Sequence, residues 1–263
     1  MSAARNVMAI IEKEWRQYFG SPIAWVVLVA WSLLFGFFFY VNFSFFVQRS
    51  AMTAQQMDMG GAPPMSLNDW VIAPVLNTMG VVALFLAPML TMRLFAEEKR
   101  QGTIELLSTS PLTTLQIVLG KFLAAVGVYA LMILAGLLNL VLVWQYATVN
   151  PEWKPVLTGA LALLLTGAGF MALGLFISTL TRNQIVAATI TFCLALLMWV
   201  LSWIADATSG DLVRALAYIG VTNHIEELAK GVIAVKDLVY YASMITFGLF
   251  LTHQSVESQR WRA

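Results

Sequence analysis

Residues 155–181 read PVLTGALALLLTGAGFMALGLFISTLT, 27 residues without an Asp, Glu, Lys or Arg. A helix needs roughly 20 apolar residues to cross about 30 Å of hydrocarbon, so this run is long enough to span a bilayer. Five more uncharged runs, each of 19 residues or more, occupy 17–48, 70–92, 122–151, 183–205 and 238–256. The chain of 263 residues is 60% hydrophobic and 11% charged, against about 45–50% and about 25% for a soluble domain. So few charges cannot cover a soluble fold of this size. The pattern predicts one all-α, polytopic membrane domain over 1–263, with spans near 22–47, 70–92, 115–146, 154–181, 184–205 and 238–254.

The remaining composition mostly excludes functions. A net charge of +1 gives no field that would gather nucleic acid. The single cysteine, Cys193, lies in an apolar run and builds neither a disulfide framework nor a cysteine zinc site. Glu12, Lys13, Glu14 and Arg16 stand where a signal peptide would be apolar, so no cleavable leader is expected. Four methionines, Met52, Met57, Met59 and Met65, fall in a Gly- and Pro-rich outer loop. Thioethers suit Cu(I), but with no nearby Cys or His they read as flexible filler and no metal is expected.

Charge sets the orientation. With both termini inside, ten basic residues (Arg5, Lys13, Arg16, Arg93, Lys99, Arg100, Lys121, Arg182, Arg260, Arg262) are cytoplasmic. Arg49, Lys154, Arg214, Lys230 and Lys236 remain outside, and the excess inside favours this arrangement. The last span is the weak point, its 19 uncharged residues being close to the minimum.

Ahead of the first span, residues 5–20 form an amphipathic segment. Val7, Ile10, Ile11, Trp15 and Tyr18 recur at helical spacing opposite Glu12, Lys13, Arg16 and Gln17. The expectation is a helix in the cytoplasmic interface with Trp15 and Tyr18 at headgroup depth. In the fourth span, Ala168 to Ala172 and Gly174 to Ser178 place small residues four apart, the spacing that lets helices approach closely in lipid. Residues 206–237 are too short and too mixed for a crossing and read as short outer re-entrant helices, with Asn223 and Glu226 as a capping box and Gly231 as the stop. Of the polar residues inside spans, Asn42, Asn77, Asn139 and Thr189 are candidates to line a path.

The segment 94–112 between spans two and three holds three acids and two bases around Gly102, interrupted by Ile104, Leu106 and Leu107. Gly102 permits a sharp backbone change, Thr103 can cap a short helix and Pro111 limits it. On pattern alone this is equally a rigid element for a soluble partner to push or an ordinary loop closing a helical hairpin. The residues Thr91-Met92-Arg93, Glu97, Glu98, Gly102, Thr103, Glu105, Leu107, Pro111 and Gly120-Lys121-Phe122 resemble the signature of ABC-2 type ABC transporter permeases, in particular the gliding-motility-associated GldF-like branch. The likeness extends through His224, Glu226, Gly231-Val232-Ile233, Asp237, Tyr240-Tyr241, Glu257, Arg260 and Trp261.

That resemblance implies a type V exporter-like half-transporter with six membrane helices, an N-terminal connecting helix, a coupling helix after span two and outer re-entrant helices. It implies a second permease copy or related permease and a separate ATPase subunit that binds ATP and Mg2+. In the gliding-motility type of assembly it also implies a periplasmic auxiliary protein. The ATPase would meet Phe95, Glu97, Glu98, Gly102, Thr103, Glu105, Leu106 and Pro111. The chain itself has no G-x-x-x-x-G-K-[ST] phosphate loop, because Gly120-Lys121 is followed by Phe122. His224 and His253, predicted on opposite membrane sides, form no catalytic constellation, so no cofactor or active site is expected in this chain. The rival readings are an ATP-independent channel or carrier, which would normally carry ionisable groups inside its spans, and a membrane anchor for a mechanical or signalling complex.

Overall fold

The computed structural model describes residues 3–57, 66–103, 112–146, 152–207 and 218–260. Helix α1 (Ala3–Phe19) leads into α2 (Pro22–Met57); a π-helical turn (Asn68–Ile72) continues into α3 (Ala73–Thr91), followed by the short α4 (Ala96–Gln101). Then come α5 (Thr114–Tyr146), α6 (Trp153–Leu180), α7 (Gln184–Ala207), the short α8 (Thr222–Ala229) and α9 (Val235–Arg260). No strand occurs among the described residues.

Helix α2 runs ten residues past the expected end at 47. Gln48 to Met57 contain Ala, Met and Gln, which favour helix, and no Gly or Pro before Gly60. Its 36 residues make a rod of about 54 Å, longer than the hydrocarbon layer. Among the described residues five helical stretches are long and apolar enough to cross a membrane: Ala24–Thr53, Asn68–Gln101, Thr114–Leu140, Trp153–Leu180 and Gln184–Trp203. Helix α9 is not one of them.

Helix α6 is the centre of the bundle. Glycines set its close approaches: a Cβ at Gly167 would stand 2.1 Å from Tyr129 of α5, and one at Gly174 would stand 2.3 Å from Thr91 of α3. Ala168, Ala172, Gly174 and Ser178 are all buried here. Against α9 the pairs are Thr166 with Tyr241, whose hydroxyls are 2.8 Å apart, Gly169 with Met244, Ala172 with Gly248, and Thr179 with Ser255 at 2.7 Å. The partner number rises with the α6 number throughout, so α6 and α9 run parallel and in register. Helices α2 and α5 are parallel too, through Trp31 against Tyr129 and Phe35 over Gly136. By contrast, α2 and α7 expose much of their apolar surface, including Trp25, Leu33, Phe37, Ile185, Ile190 and Trp203.

Helix α8, with His224, Ile225, Leu228 and Ala229 buried, packs into the bundle end opposite α4. Its first turn differs from expectation, since Asn223 lies within the helix and no local side chain caps it. Instead the Thr222 amide donates to Ser202 Oγ of α7 at 3.2 Å. The helix stops before Gly231, which takes φ of 86°.

Candidate functional site

The densest polar site lies where α4 meets α1, α5 and α6. Helix α4 has six residues, too few to hold its shape alone in water. Four contacts hold it, three of them from other helices. Ser178 Oγ accepts the Phe95 and Ala96 amides at 3.1 and 3.0 Å and donates to the Met92 carbonyl at 3.2 Å. These amides are donors that a helix start leaves unpaired, so a serine of α6 acts as the cap of α4. Lys99 Nζ donates to the Thr179 carbonyl, which also accepts Gln259 of α9 at 3.2 Å. At the other end Gly102 takes φ of 73° and the Thr103 amide closes the turn on the Glu98 carbonyl at 3.0 Å.

The fourth contact is ionic. Lys121 Nζ of α5 lies 2.8 Å from Oε1 of both Glu14 of α1 and Glu98 of α4. Lys121 is 1% exposed, and both carboxylates are buried. Lys13 Nζ adds an outer contact at 3.1 Å to Glu98 and 3.7 Å to Glu14. Burial works against the Lys13 charge, but Glu98 and Glu14 outweigh it and hold the ammonium above the ordinary lysine value. Charges removed from water are tolerated only when paired and hydrogen-bonded, so the cluster ties three helices into one unit. The motif Gly120-Lys121-Phe122 gains a physical meaning: a Cβ at Gly120 would be 2.7 Å from Ile10, so the glycine lets α1 approach and the lysine meet Glu14.

The apolar stripe of α1, expected at the interface, packs against the bundle. Trp15 Nε1 donates to the Ala124 carbonyl at 3.0 Å, and Tyr18 donates to the Leu90 carbonyl at 2.5 Å. Burial pushes the Tyr18 phenol well above its usual value, against the opposing effect of the Arg93 guanidinium, which lies 4.1 Å over its ring. Ile11 is half-buried.

Placement also divides the expected ATPase contacts. Phe95 is 1% exposed under Lys121, and Glu98 is spent on two lysines, so neither presents itself to a partner. Sequence position made the two glutamates equivalent, but one helical step turns Glu98 inward. Glu97 is half-buried and accepts Gln101 at 3.2 Å, while Arg100, Gln101 and Gly102 are exposed and Thr103 is half-buried. Glu105, Leu106 and Pro111 lie outside the described residues. A groove of about 550 Å³ opens over the cluster, lined by Lys13, Gln17, Arg93, Glu97, Gln101, Thr103 and Leu112 among others.

Three of the four path candidates bond within their own helices. Asn42 donates to the Phe38 carbonyl at 2.8 Å, Asn139 donates to the Gly136 carbonyl at 2.9 Å beside Gly36, and Thr189, exposed, donates to the Ile185 carbonyl at 2.9 Å. Asn77 lines a separate groove with Trp199, Trp203 and Glu226. His224 is 4% exposed: Tyr240 stacks on it at 4.0 Å, Nδ1 lies 2.6 Å from Asp237 Oδ1, and Nε2 donates to the Tyr218 carbonyl at 3.1 Å. This tie fastens α8 to α9. No metal-binding cluster of His, Cys, Asp or Glu occurs among the described residues.

Sequence reading missed Lys13 and Lys121 as the partners of Glu98, and Glu14 as the second acid that they hold. A signal was present: Ile10, Glu14 and Tyr18 are spaced four apart, which puts the acid in the middle of the buried stripe.

A helical bundle with five rods long and apolar enough to cross a bilayer among the described residues defines a multi-pass membrane protein. The chain belongs to the ABC-2 family: the family model described as ABC-2 family transporter protein matches residues 8–253. It is therefore a membrane permease component of an ABC transporter, a family of transport subunits that work with a partner ATPase. No curated protein matches the sequence.

Proposed function

We propose that this chain is the permease subunit of an ATP-driven exporter of the GldF-like, type V kind, with six crossings and both termini in the cytoplasm of a bacterial inner membrane. The sixth crossing is α9. It falls short on apolarity because its polar groups bond within the bundle, but its parallel register with α6 carries it through the same layer. The α4 end gathers Lys13, Arg16, Arg93, Lys99, Arg100, Lys121 and Arg182, the positive side that faces the cytoplasm.

The clamp on α4 is the single observation that carries this reading. A partner ATPase seated on the outer face of α4 and the residues that follow would push on Glu97, Gln101 and Thr103. Because Glu98, Phe95 and the Ser178 cap lock the inner face, that push becomes a shift of α1, α5 and α6 together. A bistable packed bundle turns such a small displacement into alternating access. ATP and Mg2+ belong to the partner chain, and a second permease copy covers the bare faces of α2 and α7.

The test is co-purification with the ATPase and drug- or lipid-stimulated ATP turnover after charge reversal. Glu97→Arg should lose the ATPase while the permease still elutes as a folded species; Glu98→Arg should destabilise the permease itself. Retained binding and turnover in Glu97→Arg would refute the docking surface, and transport by the permease alone in liposomes would favour a channel or carrier.

A further inference from the structure

A second cavity, of about 250 Å³, lies beside the clamp between α1, α2, α3, α5 and the start of α7. Its polarity is graded along the bundle axis. Ala24, Val27 and Leu28 of α2 and Val128 and Met132 of α5 wall the deep end. Arg93, Arg100 and Glu97 stand at the α4 end. Among the described residues neither arginine lies within ion-pair distance of a carboxylate, and Glu97 is held by Gln101. Arg93 Cζ lies 4.1 Å from the centroid of the Tyr18 ring, and its guanidinium also interacts with the Tyr18 hydroxyl. At the mouth, Trp25 is 55% exposed, donates to the Phe19 carbonyl at 3.0 Å and packs on the Phe19 ring. An exposed tryptophan at the start of an apolar helix marks headgroup depth.

We infer that this cleft binds an anionic lipid of the cytoplasmic leaflet, with the phosphate on Arg93 and Arg100 and one acyl chain entering along α2. Three observations select that occupant. The two cations complement an anionic headgroup, and guanidinium is the side chain best suited to phosphate. The apolar end points away from them towards the bilayer centre, as an acyl chain must. The volume is below the roughly 300–1,000 Å³ of pockets that enclose drug-sized ligands, so the cavity admits part of a chain whose remainder stays in the bilayer. A bound lipid would touch α1, α3 and α4 at once, which places it against the clamp. The inference rests on the orientation proposed above.

The test uses the full permease with its ATPase, reconstituted in phosphatidylcholine vesicles containing a trace of phosphatidylglycerol with a diazirine in the acyl chain. Photolysis and peptide mapping should label 24–28 and 128–132. Arg93→Gln and Arg100→Gln should each lower labelling roughly fivefold, the usual contribution of one basic residue to anionic lipid binding. Leu28→Trp should abolish it by filling the cavity, and Arg93→Lys should retain part of it. Each variant is scored only where its elution matches the parent.

A phosphatidylcholine probe that labels equally well would overturn the proposal, as would labelling indifferent to both arginine variants. Loss of labelling on adding inorganic phosphate alone would assign the site to a free anion, and labelling that appears only without the second permease copy would assign the cleft to that copy. Both outcomes overturn it. Orientation is read separately, by impermeant thiol labelling of Gln101→Cys and Lys230→Cys on a Cys193→Ser background. If Gln101→Cys reacts from outside, the topology fails; if it is protected and lipid labelling is absent, only the lipid site fails.

Discussion

Lys121→Met removes one charge from the clamp and nearly preserves side-chain length, so its consequence follows from geometry. Glu14 Oε1 and Glu98 Oε1 both lie 2.8 Å from Lys121 Nζ, which places them less than about 6 Å apart. Without the lysine they repel by about 3 kcal/mol at an effective dielectric of about 20. Lys13, 57% exposed at its side chain, offsets part of that. Losing one member of a buried ion cluster costs about 3–5 kcal/mol, which agrees with the repulsion plus lost hydrogen bonds. At roughly 2–4 °C per kcal/mol for a chain of this size, the melting temperature should fall by about 10 °C. The decisive comparison is the triple variant Lys121→Met, Glu14→Gln, Glu98→Gln, which leaves no buried charge. It should recover most of the stability while remaining poorly coupled, because the ionic tie between α1, α4 and α5 is gone. The assay is thermal unfolding of the detergent-solubilised permease beside ATPase stimulation in the reconstituted complex. A single variant that melts within about 2 °C of the parent, or a triple variant no more stable than the single, would refute the clamp as drawn.

Ser178→Ala should cost about 1 kcal/mol, the usual value of a lost helix cap, and should raise hydrogen exchange at the Phe95 and Ala96 amides before any other in α4; unchanged exchange there would show the cap is idle. Gly102→Ala meets nothing within 4 Å, so its cost of about 1 kcal/mol is conformational alone, whereas Gly174→Ala collides with Thr91 and Thr191 and should cost about 1–3 kcal/mol. Reversal of that order in thermal unfolding would count against the α3–α6 packing. For Lys13 the folded value is raised, so its contribution is fully present below the unfolded value of about 10.4 and is lost as pH rises through the folded one. The Lys13→Met difference in melting temperature should therefore be constant from about pH 7 to 10 and shrink only above it.

What the sequence revealed and what it hid follow from the range of the interactions. Apolar runs are local, and they locate the rods of α3, α5, α6 and α7 to within a few residues. The end of α2 lies ten residues beyond the expected one because polarity alone is a weak helix stop, and Ala, Met and Gln after residue 47 favour helix. The inward placement of Phe95 and Glu98 is hidden in the sequence for a different reason. A six-residue helix has no periodicity to show its inner face, and the lysine that claims Glu98 is 23 residues away.

The two short helices show the same limit from the other direction. Local capping rules nominated Asn223 for one and Thr103 for the segment after α4, yet the serines that receive the first amides of α8 and α4 belong to spanning helices, Ser202 and Ser178. Ser178 had entered the reading only as a small residue that lets helices approach. Smallness and capping are the same adaptation there: the side chain is short enough for α4 to come within hydrogen-bond distance of α6, and polar enough to satisfy the amides it brings. A glycine at that position would admit the helix and leave its donors unpaired in a buried site, and a threonine would supply the oxygen but crowd the approach with a methyl group. The residue that holds α4 is therefore chosen by two constraints at once, and in a sequence only the first of them is visible.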